Sequence, residues 1–101
     1  MTIFIKKFGE VLTSRSAGRE AFAAFLPTLT EVKNDEQVVV DFEGVKSFSP
    51  SWGDEFLAPL IEKFSRRLFV KNTENPSVAL TLEMLGEIHT FVFKSTNGSA
   101  K

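Results

Sequence analysis

The fold is decided by residues 37–55, which read QVVVDFEGVKSFSPSWGDE. The run 37–42 is rich in β-branched residues and does not alternate with polar ones, which is typical of a strand covered on both faces. Ser49 and Pro50 then have the layout of a helix start, with a hydroxyl at the N-cap and proline at the first helical position. The stretch therefore predicts a central strand, a polar loop and a helix.

Two short strands and a helix are predicted upstream of this stretch. Residues 3–5 indicate the first strand and residues 11–12 the second. Thr13-Ser14 then supplies an N-cap before a helix whose apolar residues recur every three to four positions. Because proline lacks the backbone N–H that a helix interior uses, we expect Pro27 to kink this helix or end it near Leu26.

The downstream half repeats the same alternation. The second helix carries one apolar stripe, formed by Trp52, Phe56, Leu57, Leu60, Ile61 and Phe64. Residues 68–71 predict the next strand, Asn75 opens a third helix at Pro76, and residues 90–93 predict a last edge strand. Strands alternating with helices imply right-handed crossovers and an α/β fold with helices packed on a mixed sheet.

Length and composition predict one domain. The chain has 101 residues, 43% of them hydrophobic, which is enough for one core but not for two. We expect a single α/β domain over residues 1–94. Residues 95–101 carry Asn, Gly and Ser without an apolar anchor, so we expect this tail to be disordered.

Charge and cysteine content exclude several functional classes. Twelve Lys and Arg stand against thirteen Asp and Glu, so the formal charge is only -1 and electrostatic capture of nucleic acid or anionic membrane is unsupported. There is no Cys, no apolar run of membrane-spanning length, and no basic-then-apolar secretory layout at the start. A cytoplasmic location is expected, with neither nucleic acid nor membrane as partner.

Few residues of the chain are suited to catalysis or to cofactor binding. His89 is the only histidine, so a metal site is not expected, and the histidine is interpreted as structural or surface. The six glycines lack phosphate-binding spacing, and no base is evident beside any serine. We therefore expect no enzyme, no catalytic residue, no metal and no cofactor.

The polar loop and helix start hold more signals than folding alone requires. A serine hydroxyl at a helix N-terminus can cap the helix, help bind an anion, or accept a phosphate that the helix end stabilises. Asp54 and Glu55 are adjacent helix positions about 100° apart, so we expect them not to converge on one reacting atom. The candidate partner-binding or switch residues are Ser49, Ser51, Trp52, Asp54 and Glu55.

This stretch resembles the STAS-like family, in which a strand reading V-x-x-D-F-x-x-V precedes a serine loop, an aromatic residue and Asp-Glu. The matching residues are Val38, Asp41, Phe42, Val45, Ser49, Pro50, Ser51, Trp52, Asp54 and Glu55. The similarity extends to Ser14-Arg15 and to Val70-Lys71-Asn72. It implies a STAS-like mixed sheet with helices packed mainly on one face.

The resemblance also implies a regulatory role. In the related anti-sigma-factor antagonists, an Asp-Ser-Ser-Gly loop carries a serine that an ATP-binding, histidine-kinase-like protein phosphorylates to switch partner binding. Laying the strands together puts Ser49 at the Asp position and Pro50 at the phosphorylated serine. Because Pro50 cannot accept phosphate and Trp52 replaces the small glycine, a serine switch would require Ser49 or Ser51.

Two functional hypotheses follow. The first is a regulatory module that binds a protein, an ATP-binding kinase-like or anti-sigma-type regulator, through residues 49–55. The second is a small-ligand sensor that holds an anion or nucleotide at the same helix N-terminus. The sequence leaves self-association open, since a Phe-rich helix and an edge strand over residues 90–93 could both offer surfaces for a second copy.

Overall fold

Strands and helices alternate along the chain as the sequence predicts. The computed structural model describes residues 1–96. Single turns of 3-10 helix lie at Ile5–Phe8 and Ser65–Arg67. The other elements are β1 (Thr2–Phe4), β2 (Val11–Leu12), α1 (Arg15–Leu29), β3 (Val38–Asp41), β4 (Ser47–Phe48), α2 (Pro50–Phe64), β5 (Leu68–Lys71), α3 (Pro76–His89) and β6 (Lys94–Ser95).

Four strands form the main sheet in the order β1-β3-β5-β6, and all three pairings are parallel. Val40 of the central strand lies between Ile3 and Val70. β2 and β4 form a separate parallel pair. The predicted mixed sheet is thus parallel at every described pairing, because a helix between neighbouring strands returns the chain to the same end each time.

The three helices cover one face of the main sheet, because successive right-handed crossovers move across it in one direction. Alternate strand residues on that face are buried, namely Ile3, Val38, Val40, Leu68 and Val70. On the other face Phe4 is 57% exposed, and Val39 and Phe69 are half-buried. The α/β class with helices on one face is confirmed.

Both internal prolines lie within continuous helices. α1 passes Pro27 and ends at Leu29, so of the two outcomes predicted for Pro27, a kink or an end near Leu26, the second is wrong by one turn. Burial of Leu29 favours the extra residues, and the Thr30 hydroxyl donates a hydrogen bond to the Pro27 carbonyl at 2.6 Å. α2 likewise continues through Pro59. Within residues 1–96, none of these helices has the length and apolar character needed to cross a membrane.

The last strand lies later in the chain than predicted. Residues 91–93 form no strand, because Thr90 ends α3 in a left-handed conformation and the Phe91 N–H donates to the Gly86 carbonyl at 2.9 Å. A Cβ at Gly86 would lie 2.7 Å from the Phe91 carbonyl oxygen, so this reversal requires glycine. Ser95, placed by prediction in the tail, instead pairs with Val70 in β6. Residues 97–101 of the predicted tail lie outside the described residues.

Candidate functional site

Three helix N-termini lie at the carboxyl edge of the sheet, since each helix follows the end of a parallel strand. β2 and β4 pair in parallel and lead directly into α1 and α2. The N-caps Ser14, Ser49 and Asn75 each accept hydrogen bonds from backbone N–H groups of their own helix. Because α2 contacts both α1 and α3, the predicted site at residues 49–55 lies in the middle of this row.

Ser49 serves the fold. Its hydroxyl accepts a hydrogen bond from the Trp52 N–H at 3.4 Å and donates one to the Thr13 carbonyl at 3.0 Å. The first bond satisfies a backbone donor that the helix leaves unpaired, and the second joins the start of α2 to the segment before α1. The Ser49 hydroxyl therefore already has structural partners on both sides.

Ser51 differs from Ser49 in this respect. It is the second residue of α2 and is half-buried. Its hydroxyl makes no hydrogen bond to any of residues 1–96. Asp54 and Glu55 follow it by three and four residues, so they lie on the same side of the helix one turn later. Of the two predicted switch serines, Ser51 is the one whose hydroxyl the described structure leaves unbonded.

Trp52 belongs to the core, which corrects its prediction as a partner-binding residue. Its side chain is only 1% exposed and stacks on Phe56 with ring centroids 5.1 Å apart. Gly18 of α1 approaches so closely that a Cβ there would lie 2.6 Å from the Trp52 carbonyl oxygen. Trp52 thus positions α2 against α1 and presents no ring to a partner.

Asp54 and Glu55 do converge, although on a cation. Arg15 Nη1 lies 2.8 Å from a Glu55 oxygen and 3.6 Å from an Asp54 oxygen. The long arginine side chain bridges two directions that the helix geometry separates. The hydrogen bond to Glu55, followed by the nearby negative charges, raises the pKa of the Arg15 guanidinium above its usual value. Arg19 adds a further contact to Glu55 at 3.6 Å.

His89 connects this cluster to α3. Its Nε2 lies 2.7 Å from Asp54 Oδ1, and both side chains are half-buried. The histidine is therefore held by Asp54 and makes no hydrogen bond to Ser51. Among residues 1–96, no group of three His, Asp or Glu side chains is arranged to hold a metal ion. The sequence offered no signal for the His89–Asp54 or Arg15–Asp54 contacts, since the residues are distant along the chain.

The acid at the end of β3, Asp41, also has a structural role. Asp41 is buried at 4% exposure and accepts hydrogen bonds from the Glu43 N–H at 3.0 Å and the Asn72 amide at 2.9 Å. Asn72 follows β5 in a left-handed conformation, with φ of 58°. The pair ties the carboxyl ends of β3 and β5 together below the helix starts.

The fold defines a parallel α/β domain. Its candidate site residues, Ser51, Asp54 and Glu55, lie at the start of α2. A profile of the family described as STAS-like domain of unknown function (DUF4325) matches residues 22–78, which is more than half of the chain. The chain belongs to this STAS-like family. The matched range includes Asp41 and residues 49–55 but neither Arg15 nor His89. No curated protein and no solved structure matches the chain.

Proposed function

We propose that the chain is a cytoplasmic regulatory module that acts by binding a protein, without catalysis of its own. The binding surface is the start of α2 with its neighbours, namely Ser51, Asp54, Glu55, Arg15 and His89. The proposed partner is an ATP-binding kinase-like or anti-sigma-type protein, by analogy with the anti-sigma-factor antagonists to which STAS-like domains are related. The single observation that carries the proposal is Ser51, whose hydroxyl is unbonded within residues 1–96.

Ser51 suits a switch by its position. In phosphorylation its oxygen would bond to the γ-phosphorus of ATP, the bond from that phosphorus to the ADP oxygen would break, and the hydroxyl proton would pass to a base on the kinase. The phosphate would carry about −1.5 to −2 charges at the positive end of α2, which stabilises it. Ser49 is less suited, because modification would remove the cap.

Arg15, Asp54 and Glu55 form an ionic cluster one turn away from Ser51. A phosphate on Ser51 would also alter this cluster. Arg15 is shared between Glu55 and Asp54 and is half exposed, so it is free to turn toward a stronger anion. The phosphate would then compete with both carboxylates for the guanidinium and make the surface more negative. A partner that reads Asp54, Glu55 and Arg15 together would therefore distinguish the two forms.

The ligand-sensor alternative has less support. Ser14, Ser49 and Asn75 already occupy backbone N–H groups at the three helix starts, and an anion would need those donors. The ionic cluster beside Ser51 combines the Asp54 and Glu55 carboxylates with the Arg15 guanidinium. A protein with complementary charges can recognise such a mixed surface.

The test is quantitative affinity capture from extracts of the source cells with the full chain as bait. Ser51→Asp adds a negative charge at the proposed surface, and Asn34→Asp adds the same charge at an exposed position after α1. We expect wild type and Asn34→Asp to capture the same kinase-like or anti-sigma-type protein equally. Ser51→Asp should capture about tenfold less, a loss of about 1.4 kcal/mol in binding. Equal capture by all three chains would contradict the proposal.

A further inference from the structure

α3 exposes an apolar stripe that the fold leaves uncovered. Leu80, Met84 and Ile88 recur every four residues and are 58%, 40% and 65% exposed. The opposite side of the same helix, with Val78, Leu82 and Leu85, is buried in the core. A helix that is apolar on both sides is normally enclosed by protein. The stripe is therefore a surface that a partner is expected to cover.

A groove of about 730 Å³ runs beside this stripe. The residues that line it include Leu82, Gly86, Phe91, Val92 and Phe93. Phe91 and Phe93 contact each other edge to face, with ring centroids 5.0 Å apart. Val92 between them is 78% exposed. The groove therefore extends the apolar surface from α3 onto the segment before β6.

An acidic row separates the stripe from the groove. Glu83 and Glu87 follow Leu80 and Met84 by three residues, which places them beside the stripe, and both also line the groove. Both glutamates are exposed, and neither forms an ion pair with another of residues 1–96. Residues 76–89 contain no Lys or Arg. We call the stripe, the acidic row and the groove together the α3 surface.

We propose that the α3 surface binds an amphipathic helix of another protein whose apolar side is flanked by Lys or Arg. Apolar side chains of such a helix would occupy the groove and cover the stripe, while its cations would meet Glu83 and Glu87. A second copy of this chain, bound symmetrically through its own α3 surface, is a weaker candidate for the partner, since it would bring two acidic rows together. The same row repels nucleic acid and anionic membrane.

This surface is separate from the proposed Ser51 surface and does not rest on it. His89 lies on the side of α3 that faces Asp54 of α2. Leu80, Met84 and Ile88 lie on the side that faces away from the core. The chain would then hold two partners or two parts of one partner, one through polar residues and one through apolar residues.

The experiment titrates the full, isotope-labelled chain with a fluorescent amphipathic peptide of about 15 residues built from Leu and Lys. A matched peptide carries Glu in place of Lys. Binding is measured by fluorescence anisotropy and located by amide chemical shifts. We expect the Lys peptide to bind about tenfold more tightly than the Glu peptide, with the largest shifts at Leu80, Met84 and Ile88.

Charge-reversal variants provide the controls. Glu83→Lys combined with Glu87→Lys should reverse the preference between the two peptides, whereas Glu31→Lys with Asp35→Lys, both exposed elsewhere, should leave it unchanged. Circular dichroism checks that every variant is folded. Equal effects of the two double variants, absence of binding, or shifts confined to other helices would overturn the proposal. So would capture by phosphatidylserine vesicles, or a dimer in sedimentation that Ile88→Ser dissociates.

Discussion

The start of α2 and the outer side of α3 use side chains in opposite ways. The start of α2 is rich in polar residues that resemble a recognition motif, yet most of them bind within the chain: Ser49 caps the helix and Asp54 holds Arg15 and His89. α3 carries residues that resemble core, yet Leu80 and Ile88 are exposed. Residue type thus predicts the local element, whereas the surrounding contacts decide which side chains remain for a partner.

The strongest test of this contrast replaces one residue from each region. Trp52→Ala should lower the free energy of unfolding by about 3–5 kcal/mol, because it removes a buried ring from the core. Ile88→Ala should change it by less than about 0.5 kcal/mol, because the side chain is exposed. Urea unfolding measures both. Similar losses for the two variants would mean that the assignment of core and surface is wrong.

Asp41 tests whether the family motif includes a purely structural acid. Asp41→Ala leaves the Glu43 N–H and the Asn72 amide without their buried acceptor, so we expect a loss of about 1–3 kcal/mol in unfolding free energy. The exposed Asp35→Ala is the control and should have little effect. If Asp41→Ala were as stable as wild type by urea unfolding, another role for this carboxylate would be required.

The two serines at the start of α2 should contribute unequally to stability. Ser49→Ala removes the N-cap and should cost about 1 kcal/mol, whereas Ser49→Gly should cost only a few tenths. Ser51→Ala removes a hydroxyl that is unbonded within residues 1–96 and should stay within about 0.5 kcal/mol of wild type. Thermal and urea unfolding compare the three variants. A larger loss for Ser51→Ala than for Ser49→Ala would reverse the assigned roles.

The smallest expected effect lies away from both regions, at Glu36. The hydrogen bond from the Lys33 N–H, followed by contact with the N-terminal ammonium, lowers the pKa of this carboxyl. A lowered pKa stabilises the fold at pH values above the usual Glu value, about 4.3, and the gain is lost as pH falls through the folded value. Glu36→Gln should therefore be slightly less stable than wild type at pH 7.

The same variant should become equal to wild type at acid pH. Unfolding at pH 7 and below pH 3 measures the difference, with exposed Glu31→Gln as the control. A stability difference that stays constant or widens as pH falls would contradict the assigned sign.

Local pattern predicted much of the fold, because alternating strands and helices, the proline-led start of α2 and its apolar stripe are properties of short segments. The last strand was misplaced because the reversal at Gly86 and Thr90 depends on a backbone contact with Phe91. The ionic cluster was missed because Arg15, Asp54 and His89 meet only after α1, α2 and α3 pack. The exposure of Ile88 could not be predicted either. Apolar periodicity identifies a helix face, but it does not show whether the rest of the fold covers that face.

Phosphate mapping on the full chain, after incubation with ATP and an extract of the source cells, tests the proposed division between the two serines. Ser49 serves the fold and Ser51 is the proposed switch. We expect phosphate on Ser51, its loss in Ser51→Ala, and its retention in Ser49→Gly, which keeps the helix start nearly as stable. Phosphate on Ser49, or a chain that takes up no phosphate at either serine, would contradict this division.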